Sequence, residues 1–317
     1  MGPLPSRISR QSARAFAPGG IGNLGPGLDI LGCALTGPGD AVRATLAEHA
    51  GIVIESSGHR ELTCDPALHA AGIAAADVLR RAHSDVGVSL RVTKGLPLAG
   101  GQGGSAASAV AGAMATNAVL GSPLDHEALL YAALVAEEAL SGRHIDNLAP
   151  SLFGGILLIR SIEPLRLEAL PVPAALRIVL VHPTMQLRTA EARAVLPQTV
   201  DRRTALVQAA AVGSMVAAFC TGELHRLRGA VDDRIAEPVR APMLPGFADA
   251  KRAALDAGAF GCSISGGGPS AFALTDSDAA ANAILRAMTL AYENHGMRAS
   301  GRVARIDTQG ARIQDTE

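Results

Sequence analysis

Tryptophan is missing from the sequence, and tyrosine and phenylalanine together hold the aromatic share to 3%. Platforms for stacking nucleic-acid bases or sugars need aromatic faces, so neither kind of ligand surface is expected. Lysine is nearly missing. Only Lys94 and Lys251 occur, so chemistry that needs a positive charge falls mostly to arginine. Excess charge of either sign is also lacking: 28 basic residues stand against 29 acidic ones, for a net charge of −1. That excludes the broad positive field of a nucleic-acid binder. No Cys-x-x-Cys occurs, and Cys33, Cys64, Cys220 and Cys262 have no metal-type spacing. They are expected as reduced core residues of a cytoplasmic enzyme. There is no run of about 18 apolar residues, so no membrane-spanning segment is expected. The N-terminal MGPLPSRISRQSARAF is basic without a continuous apolar stretch, which does not read as a secretory signal.

What is present points to an ordinary folded chain. Its 317 residues suffice for two domains at roughly 100–200 residues each. Hydrophobic residues make up 48% and charged residues 18%, which excludes intrinsic disorder. The mean hydropathy of +0.25 comes largely from alanine, roughly one residue in five. Glycine is the unusual component: 35 residues, gathered into clusters.

The first half reads as strands followed by helices. A short apolar strand, Ala13–Ala17, leads into a glycine loop, and Asp40–Glu48 with Gly51–Ser56 reads as a hairpin pair. Pro66–Ala82 has helical spacing, with Pro66 suited to a first turn. Val86–Thr93 alternates as a strand. Ser105–Leu120 is an alanine-rich helix, and Asp125–Leu140 is another with Asp125 as N-cap. Ile156–Ser161, Leu165–Leu170 and Arg177–His182 read as strands. The second half leans helical, through Thr189–Leu196, Asp201–Phe219 and Pro245–Ala257. A strand–glycine loop–strand unit follows (Gly261–Ser265, Gly266–Pro269, Ala271–Leu274), then a helix over Asp276–His295 and a last strand over Arg302–Ile306. Strands and helices do not alternate strictly, so an α+β arrangement is expected rather than a doubly wound parallel sheet. Prolines crowd Glu163–Pro173, which suggests a division into residues 1–165 and 166–317.

Three glycine loops carry the chemistry: Ala17–Asp29, Pro97–Ala107 and Ser263–Ser270. Glycine lets backbone N–H groups turn inward at angles other residues resist. Such donors at a helix N-terminus form an anion site. The second loop has this layout, with a helix opening at Ser105. Tight turns and close packing by small residues would produce the same glycines. The loop lacks the Gly-Lys-Ser/Thr ending of a P-loop. It also does not complete the Gly-x-Gly-x-x-Gly dinucleotide fingerprint, because Ala106 stands where the third glycine would be. No Gly-x-Ser-x-Gly elbow is present.

In their order and spacing the three loops resemble the GHMP kinase superfamily. Pro97–Ala107 is similar to its Pro-x-x-x-Gly-Leu-Gly-Ser-Ser-Ala phosphate loop, with Gln102 in place of the usual leucine and Gly104 in place of the first serine. Asn23–Asp29 resembles the first motif of the homoserine kinase branch. His144-x-Asp146-Asn147 with Gly154 and Gly155, His182-Pro183 with Thr189 and Arg193, and Glu237-Pro238-x-Arg240 resemble the same branch.

The resemblance implies a two-domain fold, with an N-terminal ribosomal-S5-like ATP-binding domain and a C-terminal ferredoxin-like α/β domain. It implies phosphorylation of the L-homoserine hydroxyl by ATP with Mg²⁺, on the route to threonine. It places Pro97, Leu98, Ala99, Gly100, Gly101, Gln102, Gly103, Gly104, Ser105, Ala106 and Ala107 around the nucleotide phosphates, supported by Gly266, Gly267 and Gly268. Ser105 and a glutamate of the Asp125–Leu140 helix would hold Mg²⁺, a hard cation that takes oxygen ligands. Glu137 is chosen over Glu138 because the following loop is one residue short. Arg193 and Arg240 would fork the substrate carboxylate, with Thr189 beside Arg193 on one helix face. Asn23 and Asp29 would take the amino group and hydroxyl, and His144, Asp146 and Asn147 would complete the wall. Asp29 would act as base or orient the hydroxyl; with no lysine in its loop, orientation is the expectation. His69 stands near a position usually held by asparagine beside the nucleotide base. A homodimer is implied. The alternatives are another small-molecule kinase of the superfamily or a non-catalytic sensor on the same fold.

Overall fold

The computed structural model describes residues 11–316. The reading of the N-terminal segment therefore lies, for residues 1–10, outside the described residues. In chain order the strands and helices are β1 (Ser12–Ile21), β2 (Leu31–Ala47), β3 (Gly51–Ser56), α1 (Ala70–Arg81), β4 (Gly87–Thr93), α2 (Gly104–Val119), α3 (His126–Leu140), α4 (Leu148–Phe153), β5 (Ile156–Ser161), β6 (Arg166–Leu170) and β7 (Arg177–Pro183). Then come α5 (Thr189–Ala194), α6 (Arg202–Thr221), α7 (Glu237–Arg240), α8 (Phe247–Asp256), β8 (Gly261–Ile264), β9 (Ala271–Thr275), α9 (Asp278–Asn294), β10 (Ala299–Ala304) and β11 (Arg312–Thr316).

A seven-stranded sheet runs β11-β1-β2-β4-β3, with β5 joined to β2 and β6 to β5. A four-stranded antiparallel sheet runs β10-β7-β9-β8. The arrangement is α+β in two layered halves, as expected. The sheets do not respect a division at 165/166, because β6 and the C-terminal β11 are both hydrogen-bonded into the larger sheet.

The alanines build the first core. α2 is buried along most of its length, and its small side chains admit neighbours at short range. A Cβ at Gly112 would lie 2.8 Å from the Ala71 carbonyl oxygen, so α1 and α2 touch nearly backbone to backbone. Asp125 caps α3 as expected, accepting the Ala128 N–H at 2.8 Å. A second core lies around β7, β9 and α6, and a third packs α8 and α9 on the smaller sheet.

Several expectations are corrected. β3 does not pair with β2 as a hairpin. It lies beyond β4 and runs parallel to it, connected through α1. β4 enters between them because it pairs antiparallel with β2 along seven residues. α1 starts at Ala70, not Pro66: Asp65 closes its own turn by accepting the Ala67 N–H, and His69 is the N-cap. The last sheet strand is not 302–306. β10 ends at Ala304, and the chain returns as β11 to cover the edge of β1. Of the four cysteines only Cys33 and Cys262 are in the core; Cys64 and Cys220 are exposed. One helix among the described residues, α6, is long and apolar enough by composition to cross a membrane.

Candidate active site

The three glycine loops meet each other, and glycine is required where they do. The first loop donates the Gly20 N–H to the Gln102 carbonyl and accepts the Gly266 N–H on the Gly22 carbonyl. A Cβ on Gly22 would lie 2.3 Å from the Asp146 carboxylate, and one on Gly101 would lie 2.5 Å from the Ser265 carbonyl oxygen. Side chains there would push the loops apart. The hydroxyls of Ser265 and Ser270 each donate at 2.6 Å, to the carbonyls of Gly101 and Gly100. Loop three therefore braces loop two from the smaller sheet.

The loops enclose a cavity of about 350 Å³. At one end stands the N-terminus of α2. Its N-cap, Gly103, has φ +70° and offers no side-chain oxygen. The first-turn N–H groups thus remain available to an anion. Ser105 is exposed on that first turn and is not the cap. Pro97–Gly101, Gly103, Gly104 and Ala106 line the cavity with it, as do Gly266 and Gly267.

Three residues of the expected phosphate cradle do not line it. Gln102 turns away, donating to the Ser270 hydroxyl at 3.2 Å and accepting from Arg302 Nη1 at 2.9 Å. Ala107 is fully buried in the first core. Gly268 packs against Leu244 and Gly101. Lys94, given no part by the sequence reading, borders the cavity beneath α2. Its ammonium donates to the Gly104 carbonyl and the Ser108 hydroxyl, each at 2.9 Å, and pairs with the buried Asp40. The signal that could have found it is an aspartate, Asp40, opening a strand of the first half, which holds a single lysine to pair with it.

The facing wall comes from α3, the 142–147 loop and loop one. Glu137 rather than Glu138 faces inward: Glu138 pairs with Arg143 at the surface. Glu137 is buried and its Oε1 accepts from the Ser141 hydroxyl, while Oε2 is buried with no partner. Burial pushes its pKa up, and the nearby His144 offsets that only in part. His144 Nε2 lies 3.5 Å from Glu137 and Nδ1 3.2 Å from Asp146. Burial pulls its pKa down, but the Asp146 and Glu137 carboxylates outweigh this and hold it above the ordinary value. Asp146 Oδ2 accepts the Asn23 N–H at 2.8 Å, and Asn23 Oδ1 accepts the Asp29 N–H at 2.8 Å. Asn23 and Asp29 both have positive φ, near +53° and +61°. Such backbone costs on the order of 1–3 kcal/mol per residue and persists where surroundings hold it. Asn147 is wedged between Gly22 and Gly103, with its Oδ1 buried and unpartnered.

Asp29 is claimed by Arg193, whose Nη1 and Nη2 meet its two carboxylate oxygens. Thr189, one turn earlier on α5, lines the cavity beside Arg193. Arg240 reaches the same cavity from α7. It is 2% exposed, and its guanidinium donates only to carbonyls, to Ala192 at 3.0 Å and Gly266 at 3.1 Å. Among the described residues no carboxylate pairs with it, and burial lowers its pKa. His69 is occupied: Nδ1 accepts the Ala71 N–H at 3.2 Å and Nε2 lies 3.3 Å from the Ser57 carbonyl. The wall beside it is apolar, built from Leu62 and Leu68, which the sequence did not single out.

Residues 70–155 match the GHMP kinases N terminal domain, and residues 215–294 match the GHMP kinases C terminal. The chain is 40% identical to a homoserine kinase of Chlorobium phaeovibrioides over 96% of its own length and 99% of the relative's. It is 41% identical to a homoserine kinase of Arabidopsis thaliana, over 95% of this chain and 84% of that one. Among solved structures it is similar to the homoserine kinase from Cytophaga hutchinsonii, with TM-score 0.92 and 36% identity, covering 98% of this chain and 100% of the other.

Proposed function

The chain belongs to the homoserine kinase branch of the GHMP kinase family and is an ATP-dependent kinase acting on a hydroxyl; from that premise we propose how its residues divide the work. The substrate is L-homoserine, and the product O-phospho-L-homoserine feeds threonine synthesis. The observation that carries the substrate assignment is Arg240. A buried guanidinium without a counter-ion is costly to maintain. It stands beside a second arginine, Arg193, in a cavity sized for a small molecule. A substrate carboxylate supplies the missing anion, and guanidinium forks suit its planar geometry.

The amino group of homoserine fits the opposite, acidic side. Asp29, His144 and Asp146 bring ligand atoms within 4.8 Å of one another. With Arg193 already on Asp29, that cluster suits an ammonium better than a divalent ion. Asn23 and Asn147 add neutral polar atoms, and Thr189 a hydroxyl.

The nucleotide triphosphate takes the other end. The α2 N-terminus and the backbone N–H groups of loop two face its charge, and the Lys94–Asp40 pair supports them from beneath through the Gly104 carbonyl. Leu62 and Leu68 offer the adenine an apolar wall, in place of a base contact from His69. Glu137 fits a cation: its Oε2 is a buried carboxylate oxygen without a partner. Glu137 and the Ser105 hydroxyl would hold Mg²⁺, which neutralises charge on the phosphate oxygens when bound.

Transfer breaks the bond from the γ-phosphorus to its ADP oxygen and forms one to the substrate hydroxyl oxygen. Phosphoryl transfer depends chiefly on positioning and charge stabilisation. Asp29 orients the hydroxyl, and its proton passes to the phosphoryl oxygens late in the reaction. Neither lysine stands ready to act with Asp29, since Lys94 is held by Asp40 and Lys251 by Asp232 and Glu237. The protein works in the cytoplasm as a homodimer.

The test is a coupled ADP-release assay with L-homoserine, mevalonate, galactose and shikimate. Turnover with L-homoserine is expected to dominate. Absence of homoserine turnover under Mg²⁺-ATP would refute the assignment, and ATP binding without turnover of any alcohol would favour a sensor.

A further inference from the structure

α6 is a helix with its apolar side on the wrong face. From Thr204 to Gly222 no residue is charged. Yet only Gln208, Met215, Ala218 and Phe219 are buried. Those four fall on one side at helical spacing. They tie α6 to the substrate end of the molecule: Gln208 donates to the Pro26 carbonyl at 2.7 Å, and Met215 packs beneath Gly25. The opposite side carries Leu206, Ala209, Gly213 and Cys220, all exposed, with Leu206 at 64%. Leu206, Gly213 and Cys220 recur every seven residues and so lie in one stripe.

We propose that this stripe is the two-fold interface of the homodimer, with α6 packed antiparallel on α6 of a second copy and Gly213 at the dyad. The proposal rests on the homodimer reading above and names its surface. A two-fold interface must be complementary to itself. Pairing about position 213 sets Leu206 against Cys220 and Ala209 against Ala217 of the second copy. A large residue thus faces a small one near each end, and small residues at the centre let the helices approach closely.

Charge selects the antiparallel direction. Arg202 and Arg203 open the helix and have no ion-pair partner among the described residues, while Glu223, which pairs with Arg226 at 2.6 Å on the exposed surface, follows its end. The same register brings Arg203 to Glu223 of the second copy, twice by symmetry. A parallel pairing would set the arginines against each other. Val195 and Val200, just before α6 in sequence, are exposed as well. Apolar patches of this continuity on a folded protein mark contact sites.

The experiment uses the full-length chain with Cys64→Ser, leaving Cys220 as the exposed thiol. Sedimentation velocity should give twice the 32.2 kDa chain mass. Adding Leu206→Cys should allow rapid oxidation to a covalent dimer joined twice through position 206 and Cys220, whereas Cys220 alone should not cross-link, being about 20 Å from its counterpart in this register. Ala209→Arg, at a position open to solvent in one copy, should convert the protein to a folded monomer with an unchanged circular dichroism spectrum. A dimer that neither cross-links through 206 and 220 nor responds to Ala209→Arg would overturn this interface and leave the homodimer reading standing. A monomer at all concentrations would overturn both, and a monomer that floats with phosphatidylglycerol vesicles would assign the face to lipid instead.

Discussion

The Arg193 guanidinium clasps the Asp29 carboxylate, with Nη2 on Oδ1 and Nη1 3.3 Å from Oδ2. The pair joins loop one to α5, segments 164 residues apart in sequence. Both members were expected to meet the substrate. They also meet each other, so homoserine must share both with that pair.

Asp29→Asn keeps the side chain's shape and one acceptor oxygen while removing the carboxylate that could take the hydroxyl proton and the charge that holds Arg193. The expected result is a fall in kcat/KM for homoserine of roughly 10²–10⁴-fold, with the Kd for ATP unchanged by calorimetry. Turnover close to the parent's would show that Asp29 is not essential as a base and serves only as a hydrogen-bond partner.

Arg240→Met removes a buried cavity charge that no carboxylate pairs with among the described residues. Hydrogen bonds to a charged group contribute about 1.5–3 kcal/mol, so KM for homoserine should rise tenfold to a hundredfold while KM for ATP stays within about twofold. Added homoserine should also stop raising the Tm. Equal losses for both substrates would contradict a carboxylate-specific role.

The shifts at Glu137 and His144 have the same sign. Both folded-state pKa values are raised, so the native state holds these protons more tightly than the unfolded chain. Each contribution is fully present below the ordinary value, 4.5 for Glu137 and 6.5 for His144, and is lost as pH rises through the folded-state value. The ligand-free protein should therefore lose stability as pH rises above these values. Glu137→Gln should flatten the glutamate part of that profile and, at neutral pH, raise the Tm while abolishing Mg²⁺-dependent turnover. Urea melts across pH compare the two proteins directly; a Glu137→Gln protein less stable than the parent at neutral pH would contradict the raised value.

Gln102 links the phosphate loop to Arg302 on β10, whose Nε and Nη2 are already buried without partners. Gln102→Leu should leave the whole guanidinium unpaired and cost about 1–3 kcal/mol in urea unfolding. Adding Arg302→Met should recover most of that loss, because the buried charge leaves with its partner. Additive destabilisation in the double-mutant cycle would show that the two side chains do not interact.

The helices were legible where a local signal fixes them: the Asp125 cap, the alanine run of α2, the glycines before it. β3 and β11 were not. A strand's partner is a matter of what lies beside it, and β3 reads equally well as a hairpin arm or a parallel neighbour. β11 covers an edge with a single apolar residue, Ile313, among four polar ones, so there is no apolar alternation to announce it. Glu137 could be separated from Glu138 only in three dimensions, where one lies against Ser141 and His144 and the other reaches Arg143.

The sequence by itself determined the chemistry on offer: three glycine loops, two arginines at motif positions, a serine and a glutamate, and almost no lysine. These are properties of residue type and spacing, which a chain carries before it folds. Tertiary structure decided which of those groups meet. It put Arg193 on Asp29, left Arg240 without a counter-ion, turned Gln102 from the cavity and brought Lys94 under α2. Such pairings depend on burial and on contacts between segments from 26 to 200 residues apart, and no local pattern encodes them.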